Sequence, residues 1–160
     1  MRPARRFFED FTAGLRFRSF DPIAVNADAI KAFAAEFDPQ PFHLDEAAAR
    51  DTFFGGLVAS GWHTASVGMR LLVDSDLGLW GQGAGLAVES LRFSRPVRPG
   101  DSLHLEGTVT ETRPSRSHPD RGIVKFEVTI YNQRNEEVLE ATHVVVALRR
   151  GGLRPSADDR

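Results

Sequence analysis

The chain has 160 residues, of which 41% are hydrophobic and 26% charged, with a formal net charge of −2 at pH 7. These values are typical of a soluble globular protein and give no electrostatic basis for binding nucleic acid. The sequence contains no cysteine, which excludes disulfides, thiolate catalysis and cysteine-ligated metal. It also lacks an apolar run of the roughly 18 residues that a membrane span needs, and a signal-peptide core. We therefore expect a cytoplasmic protein with no nucleic-acid or membrane partner.

The first half of the chain has the apolar spacing of helices. Apolar residues recur at helical spacing from Ile30 to Phe37, Asn26 is an expected N-cap, and Pro39 ends the pattern. The longest helical pattern, at about 61–75, is apolar round most of its circumference. We therefore expect that helix to be largely enclosed. His63 is expected on its polar strip as a satisfied packing residue. The elements predicted here are a strand over 15–20 and helices over 27–37, 45–51 and about 61–75.

The second half alternates apolar and polar side chains, as strands with one buried face do. Strands are predicted over 86–94, 103–109, 123–131 and 137–148. Together the patterns predict an α+β fold in which an antiparallel sheet wraps around one long central helix. We expect residues 1–150 to form a single domain and residues 151–160 to form a flexible tail. The free edges of such a sheet favour a homodimer or a higher homo-oligomer.

An acid and an imidazole, Asp38 and His43, lie five positions apart in a segment that Pro39 and Pro41 stiffen. Proline fixes its own φ and keeps the preceding residue out of the α region, so we expect Asp38 and Gln40 to be extended. The segment is therefore predicted to be neither a helix nor a mobile loop. A carboxylate held beside an imidazole suits general acid–base catalysis, although this spacing also arises by chance.

Three separated segments together resemble a known protein family. They are DPQPFHLDEAA at 38–48, GGLVASGW at 55–62 and FSRPVRPGD at 93–101. In this order they are similar to the MaoC-like hydratases and dehydratases of the hotdog fold, which include the (R)-specific enoyl-CoA hydratases. The resemblance covers roughly residues 8–148.

The resemblance implies a lyase of fatty acid metabolism that reversibly hydrates 2-enoyl-CoA to 3-hydroxyacyl-CoA. By this likeness, Asp38 and His43 position one water and exchange protons with it and with C2, and which residue moves which proton stays open. The backbone N–H of Gly61 becomes a candidate donor to the thioester oxygen, or else only starts the helix beside Ser60 as N-cap. Ser66 lies where the family often has a serine near the substrate, or is simply a small residue that permits close packing.

The sequence departs from the family at residues beside the expected site. Gln40 stands where the family usually has Asn, which alters a supporting hydrogen bond. Ser60 and Trp62 stand where it often has His and Met, and the indole is expected to reshape the acyl pocket. Arg95 and Arg98 are candidates for binding the phosphates of coenzyme A, although such arginines are usually just solvated.

Coenzyme A would enter only as part of the substrate, so we expect no cofactor. No pair of histidines has zinc-ligand spacing with a third ligand nearby, so we expect no metal. One alternative is a hotdog acyl-CoA thioesterase, in which Asp74 would be the only acid well inside the long helix. A second alternative is a non-catalytic acyl-CoA-binding subunit. The sequence leaves open the acyl chain and the choice between coenzyme A and acyl carrier protein.

Overall fold

The computed structural model describes residues 4–79 and 81–152, so most of the predicted tail lies outside the described residues. A single 3-10 turn spans Phe8–Asp10. The helices are α1 (Ala27–Phe37), α2 (Pro41–Leu44), α3 (Glu46–Arg50) and α4 (Gly61–Val73). The strands are β1 (Arg16–Arg18), β2 (Ile23–Ala24), β3 (Gly83–Phe93), β4 (Ser102–Pro114), β5 (Arg121–Tyr131) and β6 (Glu137–Leu148).

The strands form one antiparallel sheet in the order β1-β4-β5-β6-β3, with β2 paired to the start of β4. The turn between β5 and β6 contains Asn135 with φ 56°, a left-handed conformation that asparagine tolerates. Although β3 is the first long strand in the chain, it pairs with the last and leaves one of its edges free. The predicted antiparallel sheet is confirmed.

The core lies between α4 and one face of the sheet. Alternate residues of β5, such as Phe126 and Ile130, are fully buried, as the alternating pattern predicts. Helix α4 packs so closely on this face that a Cβ at Gly68 would come 2.4 Å from Cδ1 of Ile130. Glycine at that position therefore allows the helix to lie directly on the sheet.

The prediction that residues 38–45 form no helix is wrong at Pro41–Leu44, which form the one-turn helix α2. Gln40 is extended, with φ −78° and ψ 141°, as its position before a proline predicts. Pro41 then takes the first helical position, where its fixed φ suits a helix and its missing N–H is not needed. His43 consequently lies on a helical turn.

Helix α4 is less enclosed than its apolar sequence predicts. Trp62 is 61% exposed and Met69 is 48% exposed, and both line an open groove between the helix and the sheet. The prediction of an enclosed helix is therefore wrong for the single chain, because periodicity reports which faces are apolar and not what covers them. Within the described residues, no helix has the length and apolar character needed to cross a membrane.

Candidate active site

Asp38 and His43 face each other at the end of α1. Asp38 is the C-cap of that helix, and its backbone N–H donates to the Ala34 carbonyl at 2.9 Å. The chain then turns through Pro39 and Gln40 into α2, which carries His43. This turn brings Asp38 Oδ2 to 3.4 Å from His43 Nε2. The Asp38 side chain is 26% exposed and that of His43 only 7%, so the pair is reached from the Asp38 side.

A backbone carbonyl sets the tautomer of His43. Nδ1 lies 2.7 Å from the carbonyl oxygen of Val58, and a carbonyl only accepts hydrogen bonds, so Nδ1 carries the proton. In the neutral ring, Nε2 then presents a lone pair toward Asp38. The backbone N–H of Val58 in turn donates to the Phe42 carbonyl at 3.2 Å, which ties this segment to α2. The Val58 carbonyl thus fixes the imidazole through Nδ1, and Nε2 on the opposite side of the ring faces Asp38.

Ser60, expected from the sequence as an N-cap and as a departure from the family's usual His, contacts the acid directly. Its buried hydroxyl donates to Asp38 Oδ2 at 2.7 Å and accepts from the Trp62 N–H at 3.2 Å. It therefore joins the acid to the first turn of α4. The sequence signals were its place next to Gly61 and its departure from the family's usual His, but the contact with Asp38 spans 22 positions and has no local pattern.

Gly61 begins α4 beside the pair. Its N–H makes no hydrogen bond within the described residues, whereas the N–H groups of Trp62 and Thr64 are both bonded to Ser60. A Cβ at Gly61 would lie 2.8 Å from the ring of Phe93, which gives the glycine a packing reason of its own. Its role as an oxyanion donor stays a prediction.

Trp62 and Ser66 lie one turn apart on the exposed side of α4. The Trp62 indole packs edge-on against Phe93, with ring centroids 6.2 Å apart. The Ser66 hydroxyl donates to the Trp62 carbonyl at 2.8 Å, a bond within the helix. The roles of Trp62 and Ser66 toward a substrate stay predictions, and the Ser66 hydroxyl is engaged by backbone.

Gln40 contributes to the site through its backbone. Its N–H donates to the Asp38 carbonyl at 2.7 Å, and its carbonyl accepts from the His43 N–H at 3.0 Å. Its side chain is exposed. The turn between the acid and the imidazole is thereby fixed by main-chain bonds that do not depend on asparagine or glutamine at this position.

The two candidate phosphate-binding arginines are held by backbone carbonyls. Arg95 Nη1 donates to the Glu137 carbonyl at 3.0 Å, and Arg98 Nη2 donates to the Phe54 carbonyl at 2.7 Å. Both retain further N–H donors, so these contacts orient the guanidinium groups without saturating them. Their role toward coenzyme A stays a prediction.

An apolar groove of about 430 Å³ runs from Trp62 along α4 and over the inner face of the sheet. Met69 and Leu72 line its helix side, and Val88 and Leu139 line its sheet side. His143 contributes an imidazole to the wall, stacked on Phe126, and burial lowers its pKa. A groove of this size and lining suits an acyl chain.

His63 points away from this groove and packs against α1. Its ring stacks on Phe33 with centroids 4.9 Å apart, and burial lowers its pKa. The prediction of a satisfied packing histidine is wrong in one respect, because the buried Nδ1 has no hydrogen-bond partner among residues 4–79 and 81–152.

The family model for the MaoC like domain matches residues 11–131. The chain belongs to this family. A crystal structure of the MaoC-like dehydratase from Rhodospirillum rubrum is 54% identical to this chain, covers 91% of it and 98% of its own chain, and superposes with a TM-score of 0.85. The (R)-hydratase from A. caviae is 28% identical, with coverage of 86% and 97% and a TM-score of 0.70.

Two curated relatives extend the family comparison. An uncharacterized protein of Bacillus subtilis is 33% identical over 143 residues, or 88% of this chain and 98% of its own. The 3-hydroxybutyryl-CoA dehydratase of Methylorubrum extorquens is 34% identical over 112 residues, or 69% and 68%. The resemblance inferred from the sequence motifs is confirmed, and so is the hotdog fold.

Proposed function

We propose that this protein reversibly hydrates 2-enoyl-CoA thioesters to 3-hydroxyacyl-CoA thioesters, with Asp38 and His43 as the acid–base pair. The observation that carries the proposal is the distance of 3.4 Å between Asp38 Oδ2 and His43 Nε2, with the imidazole fixed from behind by Val58. Family membership supports the reaction class, because relatives include the (R)-specific enoyl-CoA hydratase of Rhodospirillum rubrum, 28% identical over 150 residues.

The distance between the two groups suits a shared water. With a neutral imidazole and an ionised carboxyl, both facing atoms are hydrogen-bond acceptors, and 3.4 Å exceeds the 2.7–3.2 Å of a typical N–H···O bond. A water beside the pair donates one hydrogen to Nε2 and the other to Oδ2. Its lone pairs then face outward toward the exposed side of Asp38, where a substrate would approach.

The chemical steps follow from that arrangement. Attack of the water oxygen on C3 forms the C–O bond while the C2–C3 double bond opens toward an enolate. One water proton passes to the pair, and C2 receives a proton from the pair. Acid–base assistance of this kind contributes about 10²–10⁴ in rate. The Gly61 N–H is the proposed donor to the thioester oxygen as it gains charge, because that N–H makes no bond within the described chain.

The apolar groove is the proposed acyl site. It begins at Trp62, two residues beyond the Ser60 that holds Asp38, so a thioester at the pair would direct its acyl chain along α4. Arg95 and Arg98 lie outside this groove and are proposed to meet the phosphates of coenzyme A. The site needs no cofactor in this scheme.

A homodimer is the proposed assembly. Strand β3 lies at the sheet edge, and its exposed residues include Leu86, Val88 and Phe93 at 57%, 52% and 46% exposure. An exposed edge that carries large apolar side chains is normally covered in a native protein. A second copy paired along β3 would cover this edge and the open side of the groove together.

The geometry favours hydration over thioester hydrolysis. Asp74, the acid that the thioesterase alternative needs on the long helix, is the C-cap of α4, and its exposed carboxylate pairs with Arg70. It is thus already engaged by a cation. Asp38 and His43, by contrast, face each other, and neither is paired with a cationic lysine or arginine within the described residues.

Two signals followed in one reaction test the proposal. Purified protein is mixed with a panel of 2-enoyl-CoA thioesters, and enoyl absorbance and free thiol are measured together. Hydratase activity removes the conjugated absorbance without releasing thiol, which is the expected result. Release of free thiol would favour the thioesterase. Binding measured by calorimetry with no turnover at any chain length would favour the acyl-CoA-binding subunit.

A further inference from the structure

The hydroxyl of Ser60 contacts the same carboxylate oxygen that faces the catalytic imidazole. Its Oγ lies 2.7 Å from Asp38 Oδ2, and that oxygen is the one 3.4 Å from His43 Nε2. Ser60 is fully buried, so water does not compete for this bond. A hydroxyl has a single hydrogen, and here it is committed to the acid.

The same hydroxyl accepts the N–H of Trp62, and the Ser60 carbonyl accepts the N–H of Thr64 at 3.0 Å. These bonds fix Ser60 on the first turn of α4. They also occupy two of the N–H groups at this helix end and leave that of Gly61 without a partner in the described chain. Ser60 therefore fixes the position of the Asp38 carboxylate relative to the start of α4 and to the Gly61 N–H.

We propose that Ser60 is a positioning residue for hydration, which holds Asp38 at the distance and angle from His43 that a shared water requires. This inference rests on the proposed function. Without the Ser60 hydroxyl, Oδ2 loses the one side-chain donor that it has within the described residues, and the carboxylate is free to rotate about its Cβ–Cγ bond toward solvent. The ground-state contacts with the acyl chain and coenzyme A do not involve this hydroxyl, so the loss falls on the chemical step.

The central experiment is a double-mutant cycle with Ser60→Ala, Asp38→Asn and both together, assayed by loss of enoyl absorbance. A hydrogen bond to a charged group corresponds to a change of about 10-fold to 100-fold in rate. We expect Ser60→Ala to lower kcat by that factor with KM changed less than about threefold. In the Asp38→Asn background, we expect the same substitution to change the residual rate by less than about threefold, because Ser60 acts through Asp38.

Two further variants separate positioning from helix capping. Ser60→Gly removes the hydroxyl donor but lowers the stability of a helix start by only a few tenths of a kcal/mol relative to serine, so the protein should stay folded. Its kcat should nevertheless fall by the same factor as that of Ser60→Ala. Thr64→Val is the matched control: it removes a buried hydroxyl one turn further on that bonds the Ser60 carbonyl and does not touch Asp38. It should keep the wild-type kcat.

Wild-type kcat in Ser60→Gly, or an equal loss with and without the Asp38 carboxylate, would overturn the positioning role. Those results would leave the proposed function standing, provided that wild type is active and Asp38→Asn is not. If wild-type protein hydrates no enoyl thioester, the proposed function itself has failed.

Discussion

At the scale of single residues, the imidazole of His43 depends on a main-chain carbonyl from a distant part of the chain. Val58 fixes the proton on Nδ1, so the nitrogen that faces Asp38 is free to accept a proton. Ser60 holds the acid from the other side. Each group is therefore hydrogen-bonded to a residue from another segment, as the proposed acid–base pair requires.

A second histidine, His63, is expected to make the stability of the fold depend on pH. Its pKa is lowered from 6.5 in the folded state because its ring is buried, so protonation favours the unfolded chain. The contribution of the neutral His63 ring to the free energy of unfolding is fully present above about pH 6.5. It falls as the pH drops below that value. We expect His63→Phe to lose less stability than wild type between pH 7.5 and 5.5, measured by urea unfolding. Buried His143 shifts in the same direction, so part of the pH dependence should remain.

The control for this prediction is Phe33→Leu, which removes the ring stacked on His63 and keeps the imidazole. It should lower stability at every pH, and because it also removes part of the burial that lowers the His63 pKa, its slope with pH should lie between those of wild type and His63→Phe. Equal slopes in His63→Phe and wild type would show that this imidazole does not carry the acid sensitivity.

At the scale of elements, the start of α4 combines tight packing with a Gly61 N–H that has no partner in the described part of the chain. A Cβ at Gly61 would lie 2.8 Å from the Phe93 ring, so Gly61→Ala should lower the Tm by several degrees. Adding Phe93→Ala should relieve that clash, so the two substitutions together should cost less than the sum of their separate effects. Thermal unfolding of the three variants measures this. Strictly additive losses would contradict the packing at this position.

Trp62 belongs to the same helix start, and we expect it to influence which acyl chains the protein accepts. Its indole is largely exposed at the mouth of the groove, so Trp62→Met should change the preferred acyl-chain length while moving the Tm little. The measurement is kcat/KM across a panel of enoyl-CoA chain lengths. An unaltered order of preference among the chain lengths would show that Trp62 does not contact the acyl chain.

Elements with local signals were predictable from the sequence, and contacts between elements were not. Helix α1 occupies the predicted residues 27–37 because its N-cap, its periodicity and its terminating proline are all local. Helix α2 was missed because Pro41 is compatible with both a loop and a first helical turn. The Asp38–His43 pair was found through the motif, whereas its bonds to Val58 and Ser60 join segments 15 and 22 positions apart.

At the scale of the whole molecule, the exposed edge of β3 predicts self-association. Wild type should elute at twice the 17.7 kDa of one chain, measured by light scattering after size-exclusion chromatography. Leu86→Glu places a charge on this edge and should shift the protein toward monomer. Arg16→Gln on β1, at the other end of the sheet, lowers the net charge by the same one unit and should leave the dimer intact. A dimer in both variants would place the interface elsewhere.

The most direct test of the whole account is the rate of 2-enoyl-CoA hydration in Asp38→Asn and His43→Ala, measured by absorbance on purified, folded protein. Because the pair is proposed to hold the water and move its protons, each substitution should lower the rate by about 10²–10⁴. Circular dichroism should stay close to wild type in both variants. The Tm of Asp38→Asn should change little because its side chain is partly exposed, whereas that of His43→Ala should fall because its buried ring bonds the Val58 carbonyl. Turnover near the wild-type rate in either variant would contradict the account.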